Sequence, residues 1–210
     1  MNLREYHELD KGVSYKAFGL SVGNRYFNYD IYWGDPEVLF DKEIIRMLPL
    51  ATVAFPARRS NSCPRIYLHE KLTLEHKDAF EYVVMHEIGH LWLYEIIGVH
   101  HQLQRNDTEV WADYFAFNFF KKHRGVGSFD RFKDILNETL VLHGVIYGYP
   151  KEVFGSVFDR KAEDIRTLME SIETEQANGG VLGAQIERTI EPVLAALGDI
   201  FDTGMLGKDT

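Results

Sequence analysis

The chain holds one cysteine, Cys63, so no disulfide can form within it. No stretch approaches the ~18 consecutive apolar residues of a membrane-spanning helix. The opening residues, MNLREYHELDKG, carry charges where a secretory signal needs an apolar segment. A cytoplasmic protein without membrane association is therefore expected. Basic residues are the minority charge, 23 against 32 acidic, for a formal net charge of −9. Proteins that grip a phosphate backbone show the reverse balance. The basic stretches at Arg58–Arg59 and Lys121–Arg124 are too short to make a patch, so no nucleic-acid partner is expected. Internal repeats and low-complexity tracts are also missing.

What is present is a 210-residue chain with 45% hydrophobic and 26% charged residues, the profile of a globular protein with one domain or one domain and a small appendage. YKAFGLSV and RYFNYDIYW read as strands. In the second, Phe27, Tyr29, Ile31 and Trp33 alternate with Asn28 and Asp30. Asp35 as N-cap and Pro36 at the first helical position start a helix that ends near Pro49. LATVAF and RIYLH are short strands on either side of the loop PARRSNSCP. Thr73 caps a long helix reaching Ile97 and stopped by Gly98. A second helix covers Thr108 to Lys122, and helices over 129–143, 151–176 and 184–201 complete the chain. Strands followed by helices indicate an α+β fold, divided into a core over 1–125 and a helical part over 126–210. The C-terminal helices offer a surface for a protein partner.

The central helix contains HEIGH. His86 and His90 stand one helical turn apart and share a face, so both imidazoles can reach one ion. Zinc favours such ligands at about 2.0–2.1 Å. Glu87 points to the flank of that site, where it can act as general base toward a water without ligating the metal. Val83, Val84, Ile88, Leu91 and Leu93 surround the motif. Burying three polar side chains among them without a partner costs several kcal/mol, and a metal removes that cost.

A catalytic zinc needs a third protein ligand and one open position. In the following helix Glu109 and Asp113 are four residues apart and share a face. Glu109 completes a His-His-Glu set, and Asp113 can orient His86 or His90 through its second ring nitrogen. Asp107, His100 and His101 stand as lower-ranked third ligands. A third histidine in the metzincin spacing is ruled out, because that position is Ile96. A ferritin-like di-iron site needs two Glu-x-x-His pairs, and Glu87–His90 is the only one in the sequence. Cys63 reads as an ordinary free thiol.

The run from Arg65 to Glu95, followed by EVWADYFA, resembles the ImmA/IrrE family of zincin-like metallopeptidases. Ile66, Leu72, Phe80, His86, Glu87, His90, Glu109, Ala112, Asp113, Phe115 and Ala116 carry the likeness. It implies a zincin-like fold with a small sheet packed on the HExxH helix. It further implies one zinc per chain on His86, His90 and Glu109, with Glu87 as base. The expected activity is endopeptidase hydrolysis of a peptide or protein substrate by zinc-bound water. Known members include proteases acting on phage or stress-response repressors. An added donor should stabilise the oxyanion, and His100, His101, His143, Tyr147 and Tyr149 are the candidates. The edge of RIYLH could pair with an extended substrate. Two alternatives stay open: another zinc hydrolase on the same scaffold, and a non-catalytic zinc-binding regulatory protein. Glu87 argues against the latter, since a structural metal site has no use for a base.

Overall fold

The computed structural model describes residues 4–9, 13–22, 25–39, 49–55, 63–97, 104–150, 152–179 and 182–202. Strands β1 (Arg4–Leu9), β2 (Val13–Val22), β3 (Arg25–Gly34), β4 (Ala51–Ala54) and β5 (Arg65–His69) form one sheet in the order β1-β2-β3-β5-β4. Among the described residues only β3 and β5 run parallel, with Ile31 opposite Ile66 and Trp33 opposite Leu68. Strand periodicity explains the two faces. Tyr29, Ile31 and Trp33 of β3 and Ile66 and Leu68 of β5 are buried together. On the other face the paired Tyr32 and Tyr67 stack at 5.3 Å.

Asp35 caps the short helix α1 (Pro36–Leu39) by accepting the Glu37 N–H at 2.8 Å. The expected continuation over 40–48 lies outside the described residues. The central helix α2 (Lys77–Leu91) is buried without a break from Ala79 to Leu91. That all-round burial places it in the interior, between the sheet and the later helices. One 3₁₀ turn, Leu74–His76, precedes it, and a π-helical turn, Trp92–Ile97, follows. Helix α3 (Arg105–His123) lies against α2, with Phe115, Phe119 and Phe120 fully buried. Then come α4 (Phe129–Tyr147), α5 (Glu152–Ala177) and α6 (Leu182–Asp202). One hydrophobic cluster runs from Tyr29 in the sheet to Leu197 in α6. The fold is α+β, as its element order implied. Among the described residues no helix is long and apolar enough to cross a membrane.

Three expectations need correction, and one strand is added. The strand that the sequence reading did not assign is β1, paired antiparallel to β2. As an edge strand it keeps polar residues that hide its periodicity. Thr73 is extended, as a cap residue should be, but its side chain makes no capping bond, and a 3₁₀ turn opens the helix. Helix α4 runs past His143 to Tyr147, because Gly144 stays helical and Gly148, at φ 71°, supplies the left-handed stop. RIYLH, finally, is an interior strand with β3 on one side and β4 on the other, so it has no open edge; β4 is the outer strand on that side.

Candidate metal centre

Helices α2 and α3 meet at Gly89. A Cβ built there would lie 2.8 Å from the Ala112 Cα and 2.9 Å from its carbonyl oxygen. Only glycine permits this approach, and Ala112 and Ala116 keep the facing surface of α3 small and buried. The contact brings the carboxylates of α3 to the imidazoles of α2.

His86 Nε2 and His90 Nε2 are 3.2 Å apart. Glu109 Oε2 lies 3.2 Å from His86 Nε2, and its Oε1 lies 3.6 Å from His90 Nε2. Bonds of about 2.0–2.1 Å to a tetrahedral ion imply ligand-to-ligand edges of about 3.3 Å. The donor set therefore fits zinc in atom type and in spacing. The histidines are buried, while Glu109 is half-buried on the outer side of the site.

Asp113, fully buried, settles which histidine it orients: its Oδ1 is 2.6 Å from His86 Nδ1. With Nδ1–H donating to the carboxylate, Nε2 is left to face Glu109. Tyr82 Oη also donates to Asp113 Oδ1 at 2.6 Å, and Lys161 Nζ from α5 lies 3.2 Å from the same oxygen.

The electrostatics follow from burial set against these contacts. Burial disfavours charge on Asp113, yet Lys161 and His86 outweigh it and hold the carboxyl below the ordinary aspartate range. Burial likewise opposes ionisation of Glu109, but the hydrogen bond and charge of His86 bring its carboxyl well below the usual range. Burial works against a charged His86, but Asp113 raises its pKa above that of an ordinary imidazole. Glu87 has a different balance. Burial pushes its carboxyl up to about 7, because the opposing pull of His86 is countered by the nearby Glu109. A carboxyl poised near neutral pH beside a donor cluster suits proton transfer.

The remaining candidates fall elsewhere. His100 and His101 lie outside the described residues. Asp107 lines a groove of about 650 Å³ between α3 and α5, together with Trp111, Arg160 and Asp164. The Tyr147 hydroxyl donates to the Pro49 carbonyl at 2.6 Å, just before β4, and its ring meets that of His69 edge-on. His143 packs on Tyr147 with ring centroids 5.0 Å apart. Tyr149 follows the end of α4 and is exposed, its backbone N–H donating to Gly144. Cys63 is a half-buried thiol donating to Asp30 at 3.0 Å, and burial with that carboxylate raises its pKa to about 11.

Sequence reasoning missed Tyr82 and Lys161. Tyr82 could have been found, since it stands four residues before His86 on the same helix face. Lys161 sits in DRKAED, which reads as a solvated helix surface, and nothing local marks it. The chain matches no family model, no curated protein and no solved structure.

Proposed function

We propose that this protein is a zinc-dependent metallopeptidase, an endopeptidase of the zincin-like ImmA/IrrE kind. The observation that carries the reading is the convergence of His86 Nε2, His90 Nε2 and a Glu109 carboxylate oxygen at the edge lengths of a tetrahedron, beside the buried Glu87. One zinc per chain would be held by those three residues. When bound, zinc supplies a Lewis acid that polarises a carbonyl and lowers the pKa of a water toward ~7.

The chain's own groups supply the rest. The Glu87 carboxylate takes the proton of the attacking water and, as a carboxylic acid, returns it to the departing amine. In the metal-free protein burial raises this carboxyl to about 7, so the site favours its holding a proton more than an exposed glutamate would. Asp113 fixes the ring of His86, so that ligand needs no reorganisation when the site is used. The outer strand β4, rather than β5, is the place where an extended peptide could add to the sheet.

The test is a peptide-library digest read by mass spectrometry with zinc-loaded protein. Wild type should cleave, lose activity to a zinc chelator and recover it with added zinc. Glu87→Gln should hold zinc and lose turnover by about two orders of magnitude or more. Cleavage at the wild-type rate by that variant, or none by zinc-loaded wild type, would overturn the reading.

A further inference from the structure

Asp113 carries an uneven load. His86 Nδ1, Tyr82 Oη and Lys161 Nζ all converge on Oδ1, at 2.6, 2.6 and 3.2 Å. Oδ2 is buried and has no hydrogen-bond partner among the described residues. The carboxylate is therefore held by one oxygen only, and its orientation depends on the donors gathered there. Tyr82 is a neutral donor, and His86 is neutral when its other nitrogen ligates a metal. Among the described residues, Lys161 is the group that brings an ammonium charge to this fully buried anion. Its ammonium also lies 5.7 Å from the centre of the Tyr82 ring, so it braces a second donor.

We infer that Lys161 is a positioning residue of the metal centre: from α5 it fixes the Asp113 carboxylate, and through it the ring of His86. The inference rests on reading His86, His90 and Glu109 as zinc ligands. Without the ammonium, a buried carboxylate loses its compensating charge. With nothing on Oδ2 to restrain it, it turns to seek other donors. The 2.6 Å bond to Nδ1 then lengthens or breaks, and His86 Nε2 loses its aim.

The test compares zinc affinity, by competition with a chromophoric chelator, and the visible spectrum of the cobalt(II)-substituted protein. Lys161→Met, folded by circular dichroism, should bind zinc about 10–100-fold more weakly and show altered cobalt bands. Lys161→Arg, which restores charge and donors, should recover most of the affinity and the wild-type bands. Adding Lys161→Met to Asp113→Asn should cause no further loss, because the lysine acts through the carboxylate. If Lys161→Met does not fold, Lys161→Gln serves for the same comparison.

Wild-type zinc affinity and unchanged cobalt bands in the uncharged variant would overturn the inference while leaving the zinc site standing. A full additional loss in the double variant would do the same. Wild-type protein that binds no zinc would overturn both.

Discussion

Glu87 shows how a single side chain can be set by its surroundings. Its carboxyl is pushed by burial from 4.5 to about 7 in the metal-free protein. The native state thus holds a proton that the unfolded chain has lost over that window, and stability falls as pH rises from about 4.5 through about 7. Glu87→Gln removes the penalty. The metal-free variant should melt above metal-free wild type near pH 8, by an amount of order 3 kcal/mol at most. Below about pH 4, where both states of wild type are protonated, the gap should close. Calorimetry at the two pH values checks the sign. An equal gap at both would mean that Glu87 is not desolvated as the structure has it. The cluster of His86, Glu87, His90 and Glu109 was legible in the sequence because a metal site would demand those residue types at helical spacings. Asp113 was legible for the same reason, but which histidine it serves depends on a rotamer and a helix crossing that no spacing records.

At the scale of elements, the contact of α2 with α3 makes the site, and Gly89 makes the contact. Gly89→Ala would drive a methyl group into the Ala112 backbone, with 2.8 Å to its Cα. The helices must separate, costing about 1–3 kcal/mol, and Glu109 and Asp113 move with α3. Zinc affinity should drop at least tenfold, because positions within a metal site tolerate little displacement. Titration with zinc beside a melting curve checks both effects; a variant that loses stability but keeps its affinity would show that the helix spacing does not set the site. Strands β2, β3 and β5 and helices α3 to α6 were legible from periodicity and caps. The π-helical turn at Trp92–Ile97 was not, since its residues continue the apolar run of α2. Strand β1 was not, because an edge strand with Arg4, Glu5, His7 and Glu8 has too few apolar positions to alternate.

The whole molecule is joined by a shared core and by polar ties between distant elements. Phe132 of α4 packs edge-on against Tyr82 of α2, and Ile165 of α5 and Val193, Leu194 and Leu197 of α6 belong to the same buried cluster as the sheet. Arg124, just past α3, clasps the buried Glu81 of α2 with two hydrogen bonds of 2.6 and 3.0 Å. A chain cut after residue 125 would bare the faces of α2 and α3 that α4 and α5 cover. It should fail to fold independently, giving a collapsed amide spectrum by NMR. Dispersed signals from that fragment would instead establish residues 1–125 as an autonomous unit. The boundary at 125 falls at the GVGS break between two helices, but composition carries no record of which helix covers which. The link from Lys161 to Asp113 is hidden for the same reason: it joins residues distant in sequence through packing alone.

One zinc held by His86, His90 and Glu109 is what the proposed chemistry depends on. The most direct measurement is elemental analysis of the protein purified without chelators and equilibrated with zinc, followed by X-ray absorption at the zinc edge. Wild type should carry one zinc per chain with nitrogen and oxygen neighbours at about 2.0–2.2 Å, and His86→Ala and His90→Ala should lose it. Wild type without stoichiometric zinc, or a histidine variant that keeps the same metal shell, would contradict the account.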